Sequence, residues 1–147
     1  MSRELSYSIG WSDRPEGVRV SQVLHAAILL VLARVALLAL GFQRTAKLAD
    51  RISRVGDSCA DVDHAQVQAS KYAVSLAAAF VPARLLCLER SLVLYHKLRL
   101  KRVPVTLRLG VRAYPFAAHA WVELWGAPIN ETPDNLKDFA PILELGR

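Results

Sequence analysis

The chain is poor in cysteine and lacks a recognisable targeting signal. Two Cys among 147 residues are too few for the disulfide framework of a small secreted domain. The stretch from Met1 to Leu5 lacks the basic and then apolar pattern of a secretion signal, and no small-residue cleavage site follows it. No internal repeat or low-complexity segment is present. These absences favour a cytoplasmic protein in which free thiols are available for chemistry.

Charge narrows the choice of partner only slightly. The formal net charge is +6, but the Lys and Arg residues are scattered along the chain. Such a balance suits an acidic peptide, an anionic membrane or RNA about equally, so it gives no ground for a nucleic-acid partner, and we expect none. His25, His64 and His96 stand in helical stretches where nothing nearby suggests a metal cluster. We therefore expect neither a metal nor an organic cofactor.

The first half of the chain is dominated by one apolar stretch. Residues 23–42 are apolar almost all round, with Ser21 as the predicted N-cap and Gly41 as the stop. Their length approaches a membrane span, but Arg34 lies in the middle, and a central Arg costs roughly 2.5 kcal/mol or more in lipid. The pattern favours a buried helix whose Arg34 reaches the surface or pairs with an acid. Loose membrane association is a stronger alternative than true spanning.

Three further helices are predicted before the pattern changes. The first covers residues 44–55 and has one apolar side. The second covers residues 65–79 and is capped by Asp61 or Asp63. The third runs from about residue 85 to residue 98. The residues expected to form the apolar faces are Leu48, Ile52 and Val55 in the first helix, Val67, Tyr72, Val74, Leu76 and Phe80 in the second, and Leu88, Leu92, Tyr95 and Leu98 in the third.

Beyond these helices the apolar residues recur at every second position. Residues 103–111 and 118–125 have the period typical of half-buried strands, and Ile129 opens a third short strand. Pro133 and Pro141 predict an irregular tail. Helices followed by an antiparallel meander indicate an α+β fold, with N-terminal helices packed on a small antiparallel sheet.

Three residues supply the parts that a cysteine nucleophile requires. Cys87 lies at a helix start, where free backbone N–H groups and the positive dipole end favour a thiolate. His119 lies just inside a strand, which fixes its direction, and an acid can then hold its far ring nitrogen. Glu131 is the first candidate for that acid, with Asn130 and Asp134 as alternatives. Nucleophile, base and orienting group are together the pattern of nucleophilic catalysis.

A second cysteine competes with Cys87 for the role of nucleophile. Cys59 also precedes a predicted helix, but Asp57, Asp61 and Asp63 surround it in the sequence. Their negative charges disfavour a thiolate at Cys59. Taken alone, a helical Cys is more often an inert, buried small side chain than a nucleophile. The assignment to Cys87 therefore depends on its combination with His119.

Four segments resemble motifs of the lasso-peptide B2 proteins, which are transglutaminase-like cysteine proteases. Residues 87–92 read CLERSL and resemble the motif C-L-x-R-S-L, and residues 107–111 read LRLGV and resemble L-x-I-G-V. Residues 116–123 read FAAHAWVE and resemble F-x-A-H-A-W-V-E. Residues 126–131 read GAPINE and resemble G-x-x-I-N-D. The pairing of the first and third motifs is far more specific than a Cys and a His alone.

The resemblance implies a transglutaminase/papain-like core with the nucleophile at a helix N-terminus. It implies a cysteine peptidase that removes the leader of a lasso-peptide precursor, with Cys87 as nucleophile and His119 as base. The third position is usually Asp in this family, and Glu131 occupies it here. By length we expect one domain over residues 1–147. It would comprise an N-terminal arm and helical region over residues 1–80, in which residues 5–11 form an extended arm or a short strand, and a catalytic core over residues 81–147.

The resemblance also implies partners. They are the precursor's leader, a separate leader-recognition (B1-type) protein, because the first 80 residues read as apolar helices, and a ring-closing cyclase. Two other functions fit the sequence, and the first of them uses the same site residues. One is a transglutaminase-like transfer of the acyl group to an amine. The other is a non-catalytic adaptor, whose helices bind a partner or associate weakly with a membrane.

Overall fold

The computed structural model describes residue 15 and residues 17–52, 62–81 and 87–146. The elements in chain order are α1 (Val20–Leu40), α2 (Phe42–Ile52), α3 (His64–Phe80), α4 (Cys87–Leu100), β1 (Val105–Arg112), β2 (Ala117–Leu124), β3 (Ala127–Pro128), α5 (Pro133–Leu136) and β4 (Ala140–Leu145). The predicted α+β class is confirmed. The strand predicted near residues 5–11 and the loop that carries Cys59 lie outside the described residues.

Helix α1 begins earlier than its capping residue predicts. The helix starts at Val20, so Ser21 lies inside it, and the N-cap is Arg19, which makes no side-chain cap bond. The prediction of Ser21 as the cap is therefore wrong. Gly41 ends the helix as predicted, with a φ of 74° that an L side chain rarely adopts.

Helix α1 belongs to the helical layer but is mostly exposed, so the prediction of a buried helix is wrong. It packs against α3 and α4, with Ala26 and Leu30 fully buried. Arg34 Nη1 lies 3.5 Å from Oε1 of Glu89, a buried carboxylate on α4. By length and composition alone α1 is able to cross a membrane, with a mean hydropathy of 2.5. Of its most apolar 18-residue stretch, 11% is buried inside the protein. The remaining face of α1 is apolar and exposed.

Helix α2 turns the opposite face inward from the one that its apolar spacing predicts. Leu48 and Ile52 are 45% and 56% exposed, whereas the buried side chains are Thr45 and Ala46. Small side chains allow α2 to lie close to its neighbours, and Asp50 Oδ1 accepts a hydrogen bond of 3.1 Å from the Tyr95 hydroxyl of α4. The predicted core roles of Leu48 and Ile52 are therefore wrong; Val55 lies outside the described residues.

Helices α3 and α4 carry most of the buried side chains of the helical layer. Asp63 caps α3, with its Oδ1 accepting from the Ala65 N–H at 2.9 Å. Phe80, predicted as a core residue, is 75% exposed at the end of α3, so that prediction is wrong. The apolar face predicted for α4 is largely confirmed, because Leu92, Tyr95 and Leu98 are buried.

The four strands form one antiparallel sheet in the order β3-β2-β1-β4. Strands β1 and β2 pair along their whole length, with Leu109 opposite Ala120 and Gly110 opposite His119. Helix α4 packs on these two strands, and its core residues meet Val105 and Val122. Alternation along β2 places His119 on the face opposite to the one that carries Val122.

The tail is regular, contrary to the prediction from its prolines. Residues 133–136 form α5, and β4 then pairs with β1 at the edge of the sheet. Pro141 is tolerated there because an edge strand has one side without ladder hydrogen bonds. The register shifts at Gly110, where Leu109 faces Leu143 and Gly110 faces Pro141. The third strand, expected to open at Ile129, lies two residues earlier, at Ala127–Pro128.

Candidate functional site

Cys87 is the first described residue of α4. Its thiol is free and its side chain is half-buried. The residues predicted to precede it in the helix lie outside the described part of the chain. Helix α4 connects Cys87 to the sheet: Ser91, one turn further along, donates a hydrogen bond of 2.8 Å to the carbonyl oxygen of Ala120. Ala120 is the immediate neighbour of His119, so α4 and β2 are joined close to both predicted site residues.

His119 and Glu131 are in direct contact. His119 Nε2 lies 3.1 Å from Glu131 Oε2, and the two side chains are 24% and 26% exposed. His119 lies near the start of β2, where β3 does not pair with it, because β3 reaches only Glu123 and Leu124. Glu131 follows β3 and approaches the ring at this open edge. Hydrogen bonding to a carboxylate favours the tautomer with its proton on Nε2, which leaves Nδ1 as the basic ring nitrogen.

The two alternative orienting residues lie elsewhere. The side chain of Asn130 bonds to the Val122 N–H and to Ser91 Oγ. Asp134 is exposed in the short helix α5. Of the three candidates considered from the sequence, Glu131 is the one in contact with His119. Its catalytic role, like those of Cys87 and His119, stays a prediction.

Two aromatic rings lie close to the His119 imidazole. The Trp121 ring stacks with it at a centroid distance of 6.4 Å and an interplanar angle of 19°, and Phe139 lies tilted at 5.6 Å. The Arg112 guanidinium carbon lies 5.2 Å from the centroid of the Phe139 ring. Sequence reasoning did not find Phe139, because it lies in the stretch expected to be irregular, 20 positions after His119, and no periodic pattern links them.

The Trp121 ring is held in place by a polar chain across the sheet. Trp121 Nε1 donates to Glu123 Oε1 at 2.8 Å, and the other oxygen of Glu123 lies 2.9 Å from Nε of Arg108. Gly110 leaves room for the ring, because a Cβ there would lie 2.8 Å from the nearest ring carbon. The motif residues Gly110, Trp121 and Glu123 therefore share one structural task beside His119.

Burial lowers the pKa values of several basic groups in α3, in α4 and directly after α4. Burial lowers the pKa of Lys71 on α3 from 10.5 to about 7. Burial, assisted by the charge of His25 and then of Lys97, lowers the pKa of His96. Across the described residues, no cluster of three or more His, Cys, Asp or Glu is arranged to hold a metal ion. The site has the parts for acid–base and nucleophilic chemistry.

Comparison with known proteins assigns this architecture to a family. Residues 27–144 match the Transglutaminase-like superfamily, a span that runs from within α1 to β4. The chain belongs to the transglutaminase-like superfamily.

A shorter stretch has a characterised relative. Over 59 residues the chain is 40% identical to the Microcin J25-processing protein McjB of Escherichia coli. This stretch is 40% of the chain and 28% of that relative, so the chain matches well under a third of the relative's length. No solved structure matches the chain. The resemblance to lasso-peptide B2 proteins predicted from the motifs is confirmed by the family match and this relative.

Proposed function

We propose that the chain is a cysteine peptidase that removes the leader from a lasso-peptide precursor. The observation that carries the proposal is the 3.1 Å contact between His119 Nε2 and Glu131 Oε2 beside the strand that α4 holds. A carboxylate on one ring nitrogen orients the imidazole and stabilises its protonated form, which is the arrangement that a general base beside a nucleophile requires. Cys87 is the nucleophile in this proposal.

The reaction has two acyl-transfer steps. His119 removes the thiol proton, and the Cys87 sulfur attacks the carbonyl carbon of the last leader residue. The tetrahedral intermediate collapses when the amide C–N bond breaks, and the imidazolium returns the proton to the leaving amine. Water, deprotonated by His119, then attacks the thioester. The C–S bond breaks, the leader is released with a free carboxylate, and the imidazolium of His119 returns its proton to the Cys87 thiolate.

The choice of substrate comes from the relative. The name of the Escherichia coli protein states that it processes microcin J25. We transfer to this chain the processing of a ribosomally made precursor, at its leader, in the cytoplasm. The product would carry the new amine that a separate ring-closing cyclase consumes. The proposed reaction needs no metal or organic cofactor.

Transfer of the acyl group to an amine is the second catalytic candidate, because the superfamily match fits it equally well. We suggest incubating the purified chain with the full precursor in the presence and absence of an excess of a small primary amine. Mass spectrometry of the released leader separates the two reactions. A free carboxyl terminus in both samples supports the peptidase. A leader found mainly as its amide in the amine sample supports the transferase.

The adaptor alternative is tested on the enzyme without substrate. We suggest measuring the alkylation rate of the Cys87 thiol by iodoacetamide in the Cys59→Ala protein and in the same protein with His119→Ala added. A thiol paired with an imidazole reacts as a thiolate at acidic pH, so His119→Ala should slow alkylation at pH 6 by roughly tenfold or more. Equal rates in the two proteins contradict a catalytic pair and favour an adaptor.

The outer face of α1 is our candidate for the surface that meets a separate leader-recognition protein. We define this α1 outer face by its exposed aliphatic residues Val20, Leu24, Ile28, Val31, Leu32, Val35 and Leu38. An apolar groove of about 370 Å³ adjoins it, with Phe80 of α3 on its far side. A contiguous apolar surface of this kind on a folded protein marks an interaction site. A partner bound there and to the leader would make cleavage effectively intramolecular.

The partner proposal makes a solubility and a rate prediction. The chain alone should self-associate, and the leader-recognition protein should restore a single soluble complex and raise the cleavage rate roughly a hundredfold. Cleavage of a peptide that retains only a few leader residues should gain nothing from the partner. Full activity on the precursor at micromolar enzyme without any partner contradicts the proposal. Sedimentation of the chain with anionic vesicles, lost in Leu24→Glu, assigns the face to a membrane instead.

A further inference from the structure

Three hydrogen bonds, one buried and two partly buried, join α4, β2 and the segment that follows β3. Ser91 Oγ donates to the Ala120 carbonyl oxygen at 2.8 Å, and Asn130 Nδ2 donates to Ser91 Oγ at 2.9 Å. The Val122 N–H donates to Asn130 Oδ1 at 2.7 Å. Ser91 is 1% exposed. We call the side chains of Ser91 and Asn130, with the backbone groups that they bind, the Ser91–Asn130 clamp.

The direction of every bond in the clamp is fixed by its end groups. The Ala120 carbonyl only accepts, so the single hydroxyl proton of Ser91 goes to it. The Val122 N–H only donates, so the Asn130 atom facing it is the oxygen, and the amide nitrogen is the one that faces Ser91. One serine and one asparagine satisfy each other and two backbone groups. A residue that lacks either the donor or the acceptor leaves a buried polar group without its partner.

Each clamp residue is a close sequence neighbour of a proposed site residue. Ser91 lies four residues after Cys87, which is one helical turn and about 6 Å along the same side of α4. The carbonyl that Ser91 binds belongs to Ala120, adjacent to His119, and Asn130 is adjacent to Glu131. The three hydrogen bonds of the clamp therefore connect the elements that carry the nucleophile, the base and the acid. Each bond lies within four residues of Cys87, His119 or Glu131.

The clamp also replaces strand pairing at the edge of the sheet. Strand β3 pairs with β2 only at Glu123 and Leu124. At the next residue, the Val122 carbonyl still accepts a backbone bond of 2.9 Å from the Ile129 N–H, but the Val122 N–H is taken by the Asn130 side chain. The chain can leave the sheet here and turn Glu131 toward His119, because Asn130 supplies the missing acceptor.

We propose that the Ser91–Asn130 clamp sets the separation between the Cys87 thiol and the His119–Glu131 pair, so that Ser91 and Asn130 are positioning residues of the site. The proposal rests on the proposed function for the roles of those three residues. The clamp touches no substrate in this account. It acts by fixing the helix on the strand, and a shift of roughly 1 Å between reacting groups is enough to lower a rate about a hundredfold.

The chain offers a matched control for a change at Ser91. Ser70 on α3 is also buried, 2% exposed, and its Oγ also has a hydrogen-bond partner, Lys101 Nζ at 3.0 Å. We expect Ser91→Ala and Ser70→Ala to lower the melting temperature by similar amounts. Only Ser91→Ala should lower kcat for leader removal, by about tenfold to a hundredfold, with KM changed less than about threefold. Ser91→Thr, which keeps the hydroxyl, should recover part of the loss.

A second variant and a second measurement keep the test independent of folding and of substrate. Asn130→Asp keeps the acceptor for Val122 but removes the donor for Ser91, and we expect the same selective loss of kcat. The iodoacetamide assay adds a measurement without precursor: the slowing caused by His119→Ala at pH 6 should shrink severalfold when Ser91→Ala is already present. A kcat for Ser91→Ala equal to that of Ser70→Ala, or an undiminished His119 effect on alkylation, overturns the clamp. Absence of any His119 effect in the parent protein instead contradicts the proposed function.

Discussion

Residues 87–146 and the three helices that precede them are held together in different ways. Around β2, buried polar groups bond to one another: Ser91 to Asn130, Trp121 to Glu123, and His119 to Glu131 at the margin. In α1–α3 the buried surface is mainly aliphatic, and much aliphatic surface is left exposed. Directional bonds fix distances between groups, whereas apolar burial mainly fixes which faces are covered.

The difference separates two tasks within one family fold. The part with α4 and the sheet positions a few atoms relative to one another, as a site of chemistry requires. The helical part supplies bulk against α4 and presents the α1 outer face to its surroundings. Changes in the first part should act mostly on rate, and changes in the second mostly on stability and association. Each prediction below tests that division.

The largest effect on stability is expected inside α1. Leu30 is fully buried and Leu24 is 61% exposed on the same helix, so the same substitution samples its two sides. Leu30→Ala should lower the free energy of unfolding by about 2–5 kcal/mol, because a buried leucine leaves a cavity. Leu24→Ala should change it by less than about 0.5 kcal/mol. Chemical denaturation of the monomer, at a concentration below that of self-association, measures both. Equal losses there would show that the rest of the chain covers the outer face of α1.

Among changes that leave the nucleophile in place, the largest effect on rate at constant stability is expected at Glu131. Glu131→Gln removes the charge that stabilises the imidazolium, and should lower kcat by roughly a hundredfold or more. Asp134→Asn, three residues along and exposed on α5, is the matched control and should leave kcat within about twofold. Initial rates on the precursor test both. If Asp134→Asn is inactive and Glu131→Gln is active, the residue that orients His119 is Asp134 and not Glu131.

A smaller effect on rate is expected at Gly110, on the face of the sheet that also carries His119 and Trp121. Gly110→Ala would place a Cβ within 3 Å of the Trp121 ring, so the ring must move, at a cost of about 2 kcal/mol. Because that ring stacks on His119, we also expect kcat to fall by about tenfold. Thr106→Val on the same strand and face is the control. A stability loss with no change of rate would separate Trp121 from the site.

The smallest effect on stability is expected at Lys71, a buried basic residue of α3. The pKa of Lys71 is lowered by burial to about 7, below its unfolded value near 10.4, so the unfolded chain binds the proton more tightly. Stability is therefore reduced below pH 7 and recovers as the pH rises toward about 10.4. Lys71→Met should stabilise the protein by about 1 kcal/mol at pH 6 and by nothing near pH 10.4. Thermal melts across this range, with unchanged kcat at pH 7, check it; a gain independent of pH contradicts it.

The sequence allowed the order of the elements and the identity of the site to be predicted better than the faces of the helices. The alternation of apolar residues placed β1 and β2 correctly, although β2 is buried on both faces from Ala120 to Leu124. Gly41 and Asp63 were predicted correctly because they act through local backbone chemistry. In α2, by contrast, the face with the regularly spaced apolar residues is exposed. The small residues of α2 and the hydrogen bond from Tyr95 to Asp50 decide which face is packed. That bond joins residues 45 positions apart, which no local pattern encodes.

The sequence likewise predicted which residues form the candidate site better than it predicted which of them are in contact. The motifs pointed to Cys87, His119 and Glu131, but they could not choose between Glu131, Asn130 and Asp134 as the partner of His119. The choice depends on where the chain leaves the sheet after β3, and that turn depends on the long-range bond from Asn130 to Ser91. The strand β4 and Phe139 were missed for a related reason, because prolines exclude a central strand but not an edge strand.

The central claim is that Cys87 carries out leader removal, and a pair of cysteine variants tests it most directly. Precursor should be incubated with Cys87→Ala and with Cys59→Ala, each shown to be folded by circular dichroism, and the products weighed by mass spectrometry. The account predicts no leader release by Cys87→Ala and most of the wild-type rate for Cys59→Ala. Release by Cys87→Ala together with an inactive Cys59→Ala would contradict it.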